Sequence, residues 1–533
     1  MSTPQSFINI ISDLPIDNRY DHTLYFETIQ DQNEFFNQRV VKVFAGYTYL
    51  RRNWSIKVEA DMSTARRWTY LYFINLPDTK RYYYFITKVE YVNETTVMLH
   101  LEMDVIQTYF FDFNMGECFV ERCHTVSDEI GEHTIDEGLE TGELITTHDY
   151  FYSLSDLCVL ILSAVDGDGH SAFAKIYDGN FSGLAIYAVD LSDYQRLGLW
   201  LDNLSNEGAI DAVVNMWVYP KDLVKISGTW EDGVLLHTVV GGSKPDQFMV
   251  SNVRASAFPD RNGESYYPSN KKLKTYPYTF LYVTNNNGGS AIYPFERFNT
   301  SLIKFKMFGA LSPDSGVKIA PLNYKGQEVN YDEALALDAF PTCAWDSDTY
   351  KVWLAQNQHT QNLTSVQAKI NAATGAAQAV ASGLTLNLGG AVGGLQQTVN
   401  AAFQIQSLMA QQKDMAVQPP QARGSYSANI NLANDMQGFT FMTKAITAEY
   451  ARSIDDYFTR YGYKVNCIMR PDLCTREHFT YIKTVGCSVM GQIGYEDRVK
   501  INEIFDHGIT LWRDHILFGY YPSQNRPLKD LEE

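Results

Sequence analysis

Cysteine is scarce in this sequence of 533 residues, and its spacing follows no pattern. The seven cysteines stand at positions 118, 123, 158, 343, 467, 474 and 487. An odd, scattered set does not form a disulfide framework and is typical of reduced thiols from a cytosolic compartment of synthesis. The amino terminus lacks a basic region followed by a long apolar run, so we expect no secretory signal peptide.

Positively charged residues are also fewer than negatively charged ones. Lys and Arg number 43 against 62 Asp and Glu, which gives a net charge of −19 and a pI of about 5.0. The chain as a whole therefore has no basic footprint for gripping nucleic acid. A DNA duplex can still pass through an acidic channel without sticking, because like charges repel. The composition argues against a protein that binds nucleic acid and is compatible with a channel through which DNA passes.

Motifs that carry catalysis or bind cofactors are missing too. The sequence contains no P-loop, no G-x-S-x-G, no H-E-x-x-H and no dinucleotide-binding fingerprint. Asp166-Gly-Asp-Gly169 lacks the further ligands of a calcium loop and predicts a tight turn. We expect neither enzyme activity nor a cofactor.

Two loose groups of Cys and His, together with one pair of carboxylates, are candidate metal or catalytic sites. Neither Cys/His group has zinc-site spacing, so we expect no metal. The pair Asp455-Asp456 is adjacent in a predicted helix, and we assign it to a solvated helix face. The two groups are Cys118, Cys123, His124 and His133, and Cys467, Cys474, His478 and Cys487.

The most informative absence is that of charge between Ile370 and Gln412. This stretch has no Asp, Glu, Lys or Arg, although 20% of the chain is charged. Two arms of about 18 residues flank a glycine-rich apex at Gly389–Gly394, and each would span roughly 27 Å as a helix. Polar residues recur along each arm at helical spacing, which predicts two amphipathic helices with neutral polar faces. This polar stripe comprises Asn371, Thr374, Gln378, Ser382, Thr385, Gln397, Asn400, Gln404, Ser407 and Gln411.

A neutral amphipathic hairpin fits poorly on a soluble surface and poorly in lipid by itself. Each buried amide without a partner costs on the order of a kcal/mol or more. Several copies together would solve this problem, with the polar stripes facing a water-filled lumen and small residues such as Gly375, Ala379 and Gly383 packing between helices. A hairpin buried in a protein core, or a coiled coil, explains the same pattern.

The rest of the chain predicts a β-rich, α+β protein. Aromatic residues make up 14% of the sequence, and long alternating runs in the amino-terminal region predict an antiparallel meander suited to a barrel wall. The predicted strands are 40–44, 55–59, 68–73, 82–92, 96–111, 157–162 and 463–469, residues 1–20 are read as an extended arm, and the predicted helices are 191–204, 445–461 and 499–505. We divide the chain into 1–155 (β-rich), 156–350 (mixed, β-rich), 351–424 (uncharged hairpin) and 425–533 (α+β).

Four stretches resemble one known family. They are Glu102–Phe113, Ile135–Leu139, Ala448–Asn466 and Ile504–Trp512. In these stretches, in their order and in the position of the uncharged hairpin, the chain is similar to the tail knob, or distal tail tube, proteins of small short-tailed bacteriophages. Those phages have short, protein-primed genomes and infect Gram-positive hosts. The similarity is faint between residues 155 and 345.

The resemblance implies a structural virion protein at the distal end of the tail. It implies a homohexameric tube of β-barrel or sandwich domains arranged as a ring, with the middle region as an inserted outer domain. The tube would contact the upper tail tube or connector and the tail tip, and viral double-stranded DNA would pass through it without specific binding. The protein would be made in the bacterial cytoplasm.

The resemblance also implies that a long hydrophobic loop from each subunit plugs the lumen and later forms a pore in the host cytoplasmic membrane during genome ejection. We carry this role onto residues 370–412, with Pro419-Pro420 as one hinge. The residues expected to insert into the membrane are Ile370, Val380, Leu384, Leu386, Leu388, Gly389, Gly390, Val392, Gly393, Gly394, Leu395, Val399, Phe403, Ile405, Leu408 and Met409. A soluble pore-forming toxin and a tail-associated cell-wall hydrolase are the alternatives.

Overall fold

The structure is a computed structural model. It describes residues 6–47, 54–76, 79–165, 175–177, 180–182, 184–207, 212–230, 234–242, 247–251, 256–260, 264–312, 316–337, 340, 342–344 and 437–531. The chain divides into two compact units. Unit 1 comprises Met1–Leu144, Ser256–Tyr278 and Ile446–Glu533, and unit 2 comprises Ile145–Ala255 and Thr279–Ala445.

Strands dominate both units. The first group is β1 (Ser6–Ser12), β2 (His22–Leu24), β3 (Val40–Tyr47), β4 (Trp54–Glu59), β5 (Trp68–Asn75), β6 (Arg81–Asn93), β7 (Thr96–Met103), β8 (Phe113–Met115) and β9 (Cys118–Cys123). The second group is β10 (Leu144–Ser153), β11 (Leu157–Ser163), β12 (Lys175–Tyr177), β13 (Asn180–Ser182), β14 (Ala185–Asp190), β15 (Val213–Pro220), β16 (Val224–Ile226), β17 (His237–Gly242) and β18 (Gln247–Val250). The third group is β19 (Phe258–Pro259), β20 (Ser265–Tyr266), β21 (Thr279–Thr284), β22 (Ser290–Tyr293), β23 (Ile303–Gly309), β24 (Val317–Tyr324), β25 (Gln327–Val329), β26 (Leu335–Leu337), β27 (Thr342–Ala344), β28 (Gly438–Ile446), β29 (Tyr463–Met469), β30 (Phe479–Val485), β31 (Val489–Gly491) and β32 (Ile509–Trp512).

Among the described residues, the helices are fewer than the strands. They are α1 (Ile29–Asn37), α2 (Met62–Ala65), α3 (Val105–Tyr109), α4 (Tyr194–Asn206), α5 (Ala448–Tyr461) and α6 (Tyr495–His507), with 3-10 turns at Leu191–Asp193, Lys221–Leu223, Lys271–Lys274, Phe295–Arg297 and Leu528–Leu531.

The first sheet of unit 1 has six strands in the order β3-β1-β5-β6-β7-β4. Its two edge strands approach each other, because Nζ of Lys42 on β3 donates to the carbonyl oxygen of Glu59 on β4 at 2.8 Å. The curled sheet encloses a core to which both ends contribute, with Ile8, Ile56 and Leu99 buried in one cluster. A nearly closed antiparallel sheet of this kind buries one face and leaves the other for helices or solvent.

A second sheet of unit 1 joins the two ends of the chain. Its order is β2-β32-β30-β9-β29, so it combines two amino-terminal strands with three carboxy-terminal strands. Strand β2 runs parallel to β32, with His22 opposite Thr510. One face of the sheet belongs to the core that also holds Phe36, Tyr70 and Phe505. The fold of unit 1 therefore needs both ends of the sequence. The short pairs β31-β8 and β19-β20 complete it.

Unit 2 contains three larger sheets around one core. Their orders are β10-β28-β21-β22, β16-β17-β14-β11-β15-β27 and β18-β23-β24-β25, with β26 paired to β24, and β12-β13 forms a separate pair. The continuous apolar run Leu157–Leu162 lies on the central strand β11, as its sequence predicts. Helix α4 buries Leu197, Trp200, Leu201 and Leu204, which confirms the helical spacing of that stretch.

Most of the predicted elements that fall in the described residues are confirmed, and two boundaries are wrong. The run 96–111 is not one strand, because Asp104 accepts a hydrogen bond from the N–H of Gln107 and begins α3. The helix predicted over 445–461 begins at Ala448, since β28 continues to Ile446. Strands β5, β6 and β7 form the predicted meander, but β1 lies between β3 and β5 rather than forming a free arm.

Candidate functional site

The residues predicted to act in the membrane and in the lumen lie outside the described residues. This holds for the whole stretch from Ile370 to Gln412 and for Pro419-Pro420. Their roles remain predictions. The structure does describe the strands from which this part of the chain leaves and to which it returns.

The last described strand before the uncharged stretch lies at a sheet edge, and the first described strand after it lies inside a sheet. Strand β27 pairs with β15 at the end of a six-stranded sheet, with Cys343 opposite Met216. Strand β28 lies between β10 and β21 in the four-stranded sheet, with Phe441 opposite Val283. Phe441 is fully buried. The return point is therefore held from both sides.

The start of β28 tolerates only glycine. Gly438 has a φ of +151°, and a Cβ atom at this position would lie 2.1 Å from the carbonyl oxygen of Tyr152. Next to it, the N–H of Leu154 donates to the carbonyl of Gln437 at 2.9 Å. Close backbone approach fixes where the chain re-enters the core of unit 2.

No helix in the parts of the chain that the structure describes combines the length and the apolar character needed to cross a membrane.

The motif Ile135–Leu139 carries a buried ion cluster in unit 1. The side chain of Glu137 has no exposed surface, and its two oxygens contact the guanidinium of Arg122 and the ammonium of Lys272. The N–H of Lys464 donates to the same carboxylate at 3.0 Å. Burial lowers the pKa of Lys272, and Glu137 opposes this effect. One carboxylate thereby ties together a loop, the Ser256–Tyr278 segment and β29.

A second buried carboxylate lies on α5, within the motif Ala448–Asn466. Asp455 is 2% exposed and accepts hydrogen bonds from the N–H groups of Ser269 and Asn270 at 2.7 and 2.9 Å and from the hydroxyl of Tyr266 at 2.6 Å. Its assignment to a solvated face was therefore wrong. Asp456 does face solvent, paired with Arg460 at 3.1 Å.

The motif Glu102–Phe113 places Asp104 in the core of unit 1. Its carboxylate accepts from the hydroxyl of Tyr70 at 2.8 Å and from the N–H of Gln107 at 3.0 Å. Burial raises the pKa of Asp104 to about 6, while these hydrogen bonds act in the opposite direction.

The last motif, Ile504–Trp512, contributes Asp506. Its carboxylate accepts from the hydroxyl of Thr484 at 2.7 Å and from the N–H groups of Gly486 and Cys487 at 3.1 and 2.9 Å. Each of the four motifs thus supplies a carboxylate that satisfies backbone or side-chain donors of another segment. These side chains hold unit 1 together, and sequence reasoning missed their role because it searched for paired catalytic carboxylates.

All members of the two Cys/His groups lie in the part of the chain that the structure describes. Within that part, no three His, Cys, Asp or Glu side chains are grouped so that they could hold a metal ion. Nδ1 of His124 accepts from the N–H of Tyr481 at 2.8 Å, and Nε2 bonds the carbonyl of Thr459 at 3.1 Å. Burial lowers the pKa of His124 to about 3, so the ring is a neutral core element. His478 bonds Asp514 at 3.1 Å.

The first comparison with known proteins concerns the amino-terminal region. Residues 4–114 match the family model of the caudoviral major tail protein N-terminus. This range contains the curled six-stranded sheet of unit 1. Over these residues the chain is similar to the tail proteins of tailed bacteriophages.

The second family model is more specific. Residues 245–526, more than half of the chain, match the C-terminal domain of the tail knob protein gp9 of Bacillus phage phi29. The complete phi29 protein is 26% identical over 598 aligned positions, which cover 97% of this chain and 98% of the relative. The gp9 proteins of Bacillus phages PZA and B103 are 26% and 25% identical over 97% and 95% of this chain, and 98% and 96% of the relatives. The chain therefore belongs to the family of the phi29 tail knob protein gp9, whose members are structural components of the phage tail.

A solved structure agrees on the fold. The tail knob protein gp12 of bacteriophage C1 superposes with a TM-score of 0.64 at 15% sequence identity, covering 98% of this chain and 100% of that one. The β-rich, α+β fold class and the resemblance to tail knob proteins are confirmed.

Proposed function

We propose that this protein forms a homohexameric tube at the distal end of the tail, through which double-stranded DNA leaves the virion. Membership in the tail knob family supports a structural rather than a catalytic role. The acidic composition, with a net charge of −19, suits a wall along which DNA slides without binding. The tube joins the upper tail tube on one side and the tail tip on the other.

We further propose that the uncharged stretch is the membrane-penetrating device. The main support for this proposal is that no side chain from Ile370 to Gln412 is charged. On both sides of it, unit 2 provides ordered strands, β27 and β28. A long insertion anchored at both ends can change its surroundings while the fold that carries it stays intact.

In the virion, the hairpins of the six subunits plug the lumen and satisfy one another's amide and hydroxyl groups. After contact with the host they leave the tube and enter the cytoplasmic membrane. There the polar stripes line a wet lumen and the apolar faces contact lipid, so that no charged group has to cross the bilayer. The segment is thus stable in two environments, and the trigger shifts its population between them.

A pair of matched aspartate substitutions tests the membrane role. We expect Val380→Asp to abolish dye release from anionic liposomes, because a charge on the lipid-facing side costs about 3 kcal/mol in every subunit. Gln378→Asp adds the same charge to the polar stripe, where water solvates it, and should retain most of the release. Ala379→Asp should behave like Val380→Asp.

Negative-stain electron microscopy of the same preparations provides the control for assembly. The wild-type protein and all variants should form six-fold rings with blocked centres. Equal dye release by Val380→Asp and the wild type would contradict the burial of that face in lipid. Single subunits at every concentration would contradict the tube.

A further inference from the structure

Two cysteines of unit 1, Cys118 and Cys487, meet in its core. Cys118 is the first residue of β9, and Cys487 lies in the connection between β30 and β31. They are about 370 residues apart along the chain, yet both belong to the buried cluster that also holds Phe505. They are 5% and 7% exposed, and both carry free thiols. The fold therefore brings the thiols of two distant segments into one buried environment.

Strand pairing on either side of the two cysteines brings their neighbours together. Val485 on β30 lies opposite Phe119 on β9, and further along the chain β31 pairs with β8. Between these two pairings, the N–H of Gly116 donates to the carbonyl oxygen of Ser488 at 2.7 Å. Adjacent antiparallel strands are about 5 Å apart, which is within the Cα separation that a disulfide spans. The backbone around the two cysteines is thus placed for a covalent link.

The side chains of the two cysteines are hydrogen-bonded to each other, with the thiol of Cys487 donating to the sulfur of Cys118. Burial and the carboxylate of Asp506 raise the pKa of Cys118, while the hydrogen bonds from the N–H of Ser488 and from Cys487 act in the opposite direction. Burial raises the pKa of Cys487 to about 12, and the neighbouring Cys118 adds to this rise. Of the two sulfurs, Cys118 therefore has the more stable thiolate, which is the form that reacts with oxidants.

We propose that Cys118 and Cys487 form a disulfide when hydrogen peroxide reaches the core of unit 1, with Cys118 as the attacking sulfur. The thiolate of Cys118 attacks one oxygen of the peroxide and the O–O bond breaks, which leaves a sulfenic acid on Cys118. The proton of the Cys118 thiol leaves with the other oxygen as water. The sulfur of Cys487 then attacks the sulfur of Cys118, the S–O bond breaks, and the hydroxyl leaves with the Cys487 proton as a second water. Two thiols are oxidised, and one peroxide is reduced to water.

The bond would fix the joint between the two ends of the chain. The sheet β2-β32-β30-β9-β29 combines both ends, and the disulfide would tie β9 to the connection that follows β30. A bond that closes a loop of about 370 residues restricts the unfolded chain more than one that closes a short loop. A structural component of a phage tail acts outside cells, where disulfides persist, whereas cytosolic reductants keep thiols reduced. Oxidation should therefore make unit 1 more resistant to unfolding, independently of the proposed tube and pore.

Peptide mapping by mass spectrometry tests the bond directly. The full-length folded protein is treated with hydrogen peroxide and then unfolded in iodoacetamide, which blocks every remaining thiol before digestion. We expect a linked pair of peptides that contain Cys118 and Cys487 and that separate on reduction. Cys158 in unit 2 is the internal control, because its buried thiol donates to the carbonyl oxygen of Tyr219 at 3.4 Å and should be recovered as a blocked thiol.

Two serine variants test the order of attack. In Cys487→Ser, the sulfenic acid on Cys118 has no thiol beside it, so dimedone should capture it at Cys118. In Cys118→Ser, Cys487 should remain a thiol. Oxidation should raise the melting temperature of the wild type by about 5 °C or more, and reduction should reverse the rise. Cys487→Ser should show no such rise.

The mapping of the wild type decides the matter even where a serine variant fails to fold. Recovery of both Cys118 and Cys487 as blocked thiols after oxidation of the folded protein would overturn the bond. Dimedone on Cys487 in Cys118→Ser, with none on Cys118 in Cys487→Ser, would overturn the order of attack. A linked pair without a rise in melting temperature would overturn the stabilising role.

Discussion

At the scale of single residues, each of the four family motifs contributes a carboxylate that is hydrogen-bonded to another segment. Asp104, Glu137, Asp455 and Asp506 each accept hydrogen bonds from another segment of unit 1. Sequence spacing shows that two adjacent aspartates on a helix point in different directions. Spacing does not show which of the two aspartates contacts a polar loop. The prediction that Asp455 faces solvent is wrong for this reason. The loop that Asp455 binds, Tyr266–Asn270, is about 185 residues away along the chain.

The neighbouring aspartates give a direct comparison of stability. We expect Asp455→Ala to lower the free energy of unfolding by about 3 kcal/mol or more, because the N–H groups of Ser269 and Asn270 would be left buried without acceptors. Asp456→Ala removes only an exposed pair with Arg460 and should cost less than about 0.5 kcal/mol. Urea unfolding followed by tryptophan fluorescence measures both values. Similar losses in the two variants would contradict the role given to Asp455.

At the scale of secondary-structure elements, local sequence patterns predicted most of the individual strands and helices among the described residues. Alternation predicted β5 and β6, and a continuous apolar run predicted the buried strand β11. Pairing was harder to foresee. The position of β1 between β3 and β5 and the parallel pairing of β2 with β32 depend on contacts between distant parts of the chain. No periodicity in the sequence reveals such contacts.

The start of β28 offers a test at this scale. We expect Gly438→Ala to lower the free energy of unfolding by about 2 kcal/mol or more, because the new Cβ would lie 2.1 Å from the carbonyl oxygen of Tyr152. Gly242→Ala on β17 is the matched control, since a Cβ there meets nothing within 4 Å. Its cost should stay below about 1 kcal/mol. Thermal unfolding of both proteins measures the difference, and equal stability of the two variants would contradict the close approach.

At the scale of the whole molecule, the sequence predicted the class but not the full division into units. The order of the four motifs and the uncharged stretch identified a tail knob protein, and the family comparisons confirm it. The inclusion of Ser256–Tyr278 in unit 1 came only from the structure. Its anchors, such as Lys272 and Asn270, are common polar residues whose partners lie far away along the chain. A polar residue takes on such a role only when tertiary contacts bury it.

The proposal as a whole separates the fold from the membrane-active segment. Units 1 and 2 each have a hydrophobic core built from described residues. Removal of the stretch from Ile370 to Gln412 should therefore leave the folded units in place.

The most direct measurement is dye release from liposomes by the protein that lacks Ile370–Gln412, compared with the wild type, with ring formation followed by electron microscopy. The account predicts that the deleted protein forms the same six-fold rings, with open centres, and releases no dye above background. Release at the wild-type rate by rings that lack the stretch would contradict the account.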